Sequence, residues 1–240
     1  LWKSTTPSID KFIENSEQIN AANTVRRWNI NETTGLPESN ECYPGGVLFS
    51  LVSTTEENNI AKSYVDFRGN VILKEQNGLI TYYVYDKMGA LRYVLPPELT
   101  RLYPSSVSVA QPDQTLVNVW AFQYQYDERN RLSAEKAPGP DNDWVYFVYD
   151  QWDRLVASQT GLQRDKSPKE WSFIKYDVVN RPVMTGILKT SISTRQDMIS
   201  AVSGSRYEDE NSSSYGYTIT NSFPSTTLQP NISSIDILTI

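Results

Sequence analysis

The chain has 240 residues, 39% of them hydrophobic and 12% aromatic, with a formal charge of −6 from 22 Lys plus Arg against 28 Asp plus Glu. That length can bury a sizeable core, while the acidic balance argues against a nucleic-acid-binding face and no run of about eighteen apolar residues is present to span a membrane. The absence of histidine removes Ser-His-Asp and Cys-His catalysis and the commonest metal ligand, and the sole cysteine, Cys42, permits neither an internal disulfide nor a thiolate cluster, so it reads as a lone, partly buried small residue.

Residues 1–45 form an N-terminal non-repeat segment in which Ser8 to Ala22, with Ile9, Phe12, Ile13 and Ile19 at helical spacing, predicts a short amphipathic helix. Tyr43 precedes Pro44-Gly45-Gly46, a turn signal ahead of a strand from Val47 to Val52. Residues 46–186 read as an array of β-hairpins, the first of them from Ile60 to Leu95. Pro96, Pro97, Pro104 and Pro112 punctuate an insertion near 96–118, expected on one rim of the sheet with a helical turn between Glu98 and Tyr103. Hairpins resume at Val119 and run to Gly186, with Pro138-Gly139-Pro140 and Gly161 marking reverse turns between copies. Residues 187–214, rich in serine, read as a polar loop or insertion with a short helix around Gln196 to Val202. Residues 215–240 read as further strands, Tyr215 to Thr220 and then Ile235 to Ile240. That second pattern is unfinished and Leu1 is not a methionine, so the expectation is a segment of a longer polypeptide.

Within the array one pattern recurs five times. Aligned on its aspartate, it reads Tyr64-Val65-Asp66-Phe67-Arg68-Gly69, Tyr83-Val84-Tyr85-Asp86-Lys87-Met88-Gly89, Tyr124-Gln125-Tyr126-Asp127-Glu128-Arg129-Asn130, Phe147-Val148-Tyr149-Asp150-Gln151-Trp152-Asp153 and Ile174-Lys175-Tyr176-Asp177-Val178-Val179-Asn180. Residues before the aspartate alternate as strands do, so Tyr83 and Tyr85, or Phe147 and Tyr149, share a face. The aspartate suits the first corner of a type I turn, its carboxylate accepting from backbone N–H groups two residues on. Three residues later stands Gly69, Gly89, Asn130, Asp153 or Asn180, the types that tolerate a left-handed backbone. A turn explains the motif better than a ligand site does, and the fold class is all-β: antiparallel hairpins stacked side by side, with short helical or loop insertions. Fifteen tyrosines, each an apolar ring with a polar tip, suit a sheet with one wetted face.

A Tyr-Asp pair, two variable residues, Gly or Asn, then Arg-Leu resembles the YD repeat of Rhs proteins, a group to which bacterial polymorphic toxins, insecticidal toxin-complex subunits and animal teneurins are similar. Tyr126 to Leu132 and Tyr149 to Leu155 match best, and Val65 stands where tyrosine is expected. The aspartates are 20, 41, 23 and 27 residues apart; the 41 reads as two periods, one degenerate or replaced by a loop. The resemblance implies a curved sheet forming part of a shell or cocoon, a structural segment of a secreted or cell-surface bacterial protein that houses or presents a toxin or effector domain, and not an enzyme. It implies as partners the other repeats and the cargo domain of the same longer polypeptide, together with secretion machinery, and no cofactor. The residues it carries over are the structural turns: Tyr85, Asp86, Gly89, Tyr126, Asp127, Asn130, Tyr149, Asp150, Asp153, Tyr176, Asp177 and Asn180. The family's C-terminal motif for self-cleavage is absent from this segment.

Other candidates carry less. A ladder of repeat aspartates offers too few oxygens per calcium ion, and Asp141-Asn142-Asp143 lacks the glycine and distal glutamate of a calcium loop. No pair among the 28 acids stands out for carboxylate-only glycoside hydrolysis, so no catalytic or metal residue is named. Trp144, Trp152 and Trp171 would stack on sugar rings in a surface adhesin or carbohydrate-binding module, the alternative reading; at repeat positions they would instead pack on the adjacent hairpin. Arg131, Arg154 and Arg181 follow their turns and could pair with a neighbouring repeat's carboxylate, where exposed pairs would contribute only about 0–1 kcal/mol each. Sequons at Asn31, Asn211 and Asn231 read as incidental in a bacterial protein.

Overall fold

The computed structural model describes residues 14–54, 60–139, 142–202 and 232–239, and they are predominantly β. They divide into two compact units, one up to Gln123 together with Pro138 and Gly139, the other from Tyr124 onward. Thirteen of the fifteen described strands are placed in a large antiparallel sheet and the other two form a ribbon.

The first unit opens with β1 (Glu14–Ile19), β2 (Arg26–Ile30), β3 (Pro37–Cys42) and β4 (Phe49–Thr54). Expectation and structure differ at the start: Glu14–Ile19 lies within the predicted helix but pairs with β4 along its whole length, Glu14 opposite Thr54 and Ile19 opposite Phe49. Hydrogen bonding to an available strand edge overrides a weak helical preference there, and residues 8–13 lie outside the described set. The strand foreseen from Val47 begins instead at Phe49. Asn20 ties down the two residues before it, its Oδ1 accepting from Val47 N (3.1 Å) and Leu48 N (2.9 Å).

Four strands follow, β5 (Ile60–Val65), β6 (Val71–Gln76), β7 (Leu79–Tyr85) and β8 (Leu91–Leu95). Then come α1 (Pro97–Thr100) and α2 (Gln114–Trp120), and the first two residues of β9 (Phe122–Tyr126) close on β8. Strand alternation decides the core: Tyr82 and Val84 of β7 are buried while Thr81, Tyr83 and Tyr85 on the other face are half-exposed. The buried face is covered by the ribbon β2–β3 and by the insertion. Val25, Trp28, Leu48, Leu99, Ala110 and Val117 all pack into one cluster with Tyr82, Val84, Tyr93 and Leu95. The proline-punctuated segment is therefore a core layer, not a rim appendage. Arg26, 1% exposed, fastens it by donating from Nη2 to the carbonyls of Pro104 (2.6 Å) and Val107. Buried tyrosines find partners too: Tyr82 Oη accepts from Arg26 N (3.1 Å), and Tyr93 Oη donates to the Gly35 carbonyl (2.6 Å).

The second unit continues from β9 through β10 (Leu132–Lys136), β11 (Val145–Tyr149), β12 (Leu155–Gln159), β13 (Lys169–Tyr176), β14 (Pro182–Thr190) and β15 (Ile232–Thr239), each beside the next. Two helices are inserted, α3 (Gly161–Asp165) and α4 (Arg195–Ala201). Gly161, expected at a reverse turn, is the first residue of α3, capped by Thr160; a Cβ there would meet the Cβ of Asp143 at 2.7 Å. β14 runs four residues past the expected end of the array at 186, and α4 falls within one residue of the helix read at Gln196–Val202. Its Met198 joins Val148, Trp171, Phe173, Met184 and Leu188 in the second core. Residues 203–231, including the strand read at Tyr215–Thr220, lie outside the described set.

One register recurs through both units. Counting from each aspartate, the residue seven positions on faces the residue four positions before the next aspartate: Leu73↔Tyr82, Tyr93↔Gln123, Ala134↔Tyr146 and Ala157↔Phe173. The spacings of 20, 41, 23 and 27 residues leave it unchanged, because the extra chain is looped out between copies. The shortest connection is the two-residue Asn77-Gly78 turn, both residues left-handed (φ +49° and +82°).

All five motif turns share one backbone, with φ of +86° at Gly69, +87° at Gly89, +59° at Asn130, +63° at Asp153 and +65° at Asn180. No atom lies within 4 Å of a Cβ built on Gly89, so a substitution there is resisted by its own backbone and not by neighbours. Gly89→Val should therefore cost about 1–2 kcal/mol, while Gly89→Asn, the residue found at two equivalent positions, should cost much less; equal melting temperatures for the two variants would contradict the turn assignment.

Candidate functional site

The functional geometry of this chain is concentrated at its turns. In every copy the aspartate's Oδ1 accepts two backbone N–H groups, from the residues two and four positions on. For Asp127 these are Arg129 and Arg131 (both 3.0 Å), for Asp150 Trp152 and Arg154 (2.9 and 3.0 Å), and for Asp177 Val179 and Arg181 (2.9 and 2.8 Å). Asp66 and Asp86 make the same pair of bonds in the first unit, so Val65 in place of tyrosine does not alter the turn. In four of the copies the residue before the aspartate sits at a register shift: Val65↔Val71, Tyr85↔Leu91, Tyr149↔Leu155 and Tyr176↔Pro182. That bulge absorbs the extra turn residue.

Oδ2 is left for a side chain, and here the two units differ. In the second it receives an arginine from its own turn: Arg131 Nε and Nη2 reach Asp127 at 2.8 and 2.7 Å, Arg154 Nε and Nη2 reach Asp150 at 2.7 Å each, and Arg181 Nε reaches Asp177 at 2.6 Å. In the first, Asn70 Nδ2 reaches Asp66 at 3.0 Å, and Arg92 stands 3.6 Å from Asp86. Pairing with a neighbouring repeat's carboxylate, the expectation for these arginines, is found at Arg131 with Asp153, but the contact common to all three is with the arginine's own aspartate. The four-residue offset across a tight turn brings an arginine back onto its own aspartate, as a two-pronged, charge-assisted contact. Nor are the pairs all exposed, since the Arg154 and Asp150 side chains are 11% and 6% accessible.

Two of these guanidinium groups also reach forward. Arg131 Nη1 contacts Asp153 Oδ1 at 2.7 Å, and Arg154 Nη1 contacts Asn180 Oδ1 at 3.2 Å, so the left-handed residue of the next turn supplies the acceptor. The guanidinium faces lie over the next motif's tyrosine, 4.7 Å from the Tyr149 ring centre for Arg131 and 4.8 Å from that of Tyr176 for Arg154. Those tyrosines donate backward: Tyr149 to the Leu132 carbonyl (2.9 Å), Tyr176 to that of Leu155 (2.8 Å), and in the first unit Tyr85 to that of Val71 (3.0 Å). The acceptor lies five residues after the preceding aspartate each time. Of the residues carried over as structural turns, the structure has Asp86, Gly89, Asp127, Asn130, Asp150, Asp153, Asp177 and Asn180 in the turns and Tyr85, Tyr126, Tyr149 and Tyr176 as the last residues of the strands that enter them; the use of the side chains between copies was missed.

Electrostatics follow the geometry. Burial works against the Asp127 and Asp177 carboxylates, but hydrogen bonds from the arginine side chains and turn N–H groups outweigh it and hold both pKa values below the ordinary aspartate value. Burial pushes the Tyr149 and Tyr176 phenols up despite the adjacent arginines, which keeps them protonated as donors. The remaining candidates are placed elsewhere. Trp171 is fully buried, its Nε1 donating to the Ile192 carbonyl (3.0 Å), and so presents no sugar-stacking face. Trp152 lies at a turn tip with Arg154 over its ring at 5.4 Å, and Trp144 is half-buried. Asp143 accepts from Trp144 N and pairs with Arg164 at 2.7 Å; Asp141 lies outside the described residues. Among the described residues no group of three or more Asp, Glu, Cys or His side chains is arranged to hold a metal ion, and no helix is long and apolar enough to cross a membrane.

No protein-family model matches the chain. It is similar to the protein named salivary gland surface protein 1 of the mosquito Aedes aegypti, 23% identical over 170 residues. That stretch is 71% of this chain but 5% of the length of the mosquito protein.

Arg154→Met would leave the Asp150 carboxylate buried without its counter-charge, and a loss of about 3–5 kcal/mol in denaturant unfolding is expected; a loss under about 1 kcal/mol would contradict the pairing. The depressed Asp127 and Asp177 values give stability that is fully present above the unfolded pKa of about 3.9 and drains away as pH falls through the lower native values. Arg131→Gln should accordingly destabilise the chain more at pH 7 than at pH 2.5, and equal penalties at both would refute the charge-assisted contact.

Proposed function

We propose that this chain is a non-enzymatic wall segment of a secreted or cell-surface Rhs/YD-repeat protein, in which stacked hairpins build part of a shell that houses or presents another segment of the same polypeptide. The observation that carries this reading is the invariant register between copies together with the arginine that grips its own turn and reaches the next. An array in which successive copies meet in the same register extends by addition, and a lone hairpin, marginal in water, gains a covered edge with each neighbour. Sheet alternation adds a half-exposed face opposite the buried one, as at Thr81, Tyr83 and Tyr85, which suits a wall that meets solvent or cargo. The name of the mosquito relative, a surface protein, accords with a location outside the cell. Its partners on this reading are neighbouring repeats, a cargo domain of the parent chain and secretion machinery, with no cofactor.

Single-particle imaging of the intact parent protein is the test. A closed wall of stacked hairpins around internal density is the expected result; an open sheet, or a solid one with nothing enclosed, would overturn the container.

A further inference from the structure

Beside the first two motif turns, and wholly within the first unit, lies a cleft of about 510 Å³, inside the range of roughly 300–1,000 Å³ that holds small ligands. Its walls are unusually aromatic. Tyr43, Phe67, Tyr83 and Tyr85 all line it, and Phe67, at a turn tip, is 81% exposed. An apolar ring held in water at the edge of a cleft is unexplained by the turn, which requires only Asp66 and Gly69.

The polar groups around those rings are planar and balanced in charge. Arg27, Arg68, Asp66 and Asp86 all belong to the lining, as does Asn29, an exposed residue. Both aspartates are already committed: each Oδ1 is taken by two backbone N–H groups, Asp66 Oδ2 by Asn70 Nδ2 and Asp86 Oδ2 by the nearby Arg92. They therefore offer little to a cation. The arginines are likewise engaged, Arg27 with Glu41 at 2.9 Å and Arg68 over the Phe67 ring at 5.4 Å, so no concentrated positive charge awaits a phosphate. A cation lies over one face of three of the rings, Arg27 over Tyr43, Arg68 over Phe67 and Lys74 over Tyr83. What remains is the opposite face of the exposed Phe67 ring, to cover a C–H surface, with the Asn29 amide and the Arg27 N–H groups not given to Glu41 to address adjacent hydroxyls. Burial raises the Tyr43 phenol, which keeps a neutral donor and acceptor in the wall.

We propose that this cleft binds a neutral oligosaccharide. A saccharide ring stacks on the Phe67 face opposite Arg68, with Tyr83 beside it in the lining, while its hydroxyls bond Asn29 and the Arg27 N–H groups left over from the Glu41 pair. The proposal places carbohydrate recognition on residues the sequence did not single out, away from Trp144, Trp152 and Trp171, and it is independent of whether the array closes into a shell.

The test is titration calorimetry of the chain with neutral gluco-, chito- and manno-oligosaccharides of two to four rings, with a sialylated glycan and inorganic phosphate as charged probes. Saturable binding of at least one neutral oligosaccharide is expected, weakened at least fivefold by Phe67→Ala and by Asn29→Ala, both exposed enough to leave melting unchanged, and unaffected by Trp152→Ala in the other unit. No binding of any neutral oligosaccharide, binding of the charged probes alone, or binding that survives both cleft variants would overturn it.

Discussion

The carboxylate of the turn aspartate is the constraint from which the rest of the array follows. Its two oxygens divide the labour. One accepts two backbone N–H groups and so holds the chain in a left-handed residue and a bulge; the other is free to receive a side chain. Because the bulge fixes which residue of the incoming strand faces which residue of the outgoing one, it also fixes where the preceding tyrosine points. From there the tyrosine hydroxyl reaches a carbonyl five residues past the previous aspartate, and the register between copies is set without help from the connection that joins them.

Arginine at the fourth position after the aspartate makes this coupling directional in the second unit. A guanidinium is flat, so one edge can grip its own carboxylate, another N–H can reach an acceptor in the next turn and the face remains for a ring. Lysine, a point charge, offers no such division. The same geometry gives a use to a choice that backbone conformation leaves open. Where the preceding copy carries arginine, the left-handed residue is Asp153 or Asn180, each with an oxygen to accept from it; where it carries none at that position, either type stands there, Gly89 after Asn70 and Asn130 after Ala90.

Local chemistry was legible in the sequence wherever it was repeated. Alternation, the aspartate and the glycine, asparagine or aspartate three residues later placed every motif turn, because each of these signals acts within a few residues of itself. The Asn77-Gly78 hairpin was equally readable and was passed over, since attention to a repeat obscures a turn that occurs between repeats. Long-range choices were not legible. Glu14–Ile19 becomes a strand because an edge of β4 is there to receive it, and Leu99, Ala110 and Val117 become core because the buried face of β7 and β8 needs a cover. Neither fact is written near those residues. The tryptophans misled for a related reason: exposure is decided by the partner layer, and α4 with the chain before it encloses Trp171.

The division between a turn-bearing end of the strands and a connecting end explains how such a chain varies. Contacts that define register lie at the motif turns, where every copy keeps the same aspartate geometry, so the other connections are released from that duty. One is two residues long, another contains α1, α2 and the proline-rich loop, and a third contains α3, yet the facing residues keep the same offsets from their aspartates. Insertions then become the means by which a monotonous array acquires local character. In the first unit the insertion and the β2–β3 ribbon cover one face of the sheet, while a turn-tip residue such as Phe67, which lines a cleft together with Arg27, Trp28 and Asn29 of the ribbon, changes what the surface can meet and leaves the aspartate geometry of its turn as it is in the other copies.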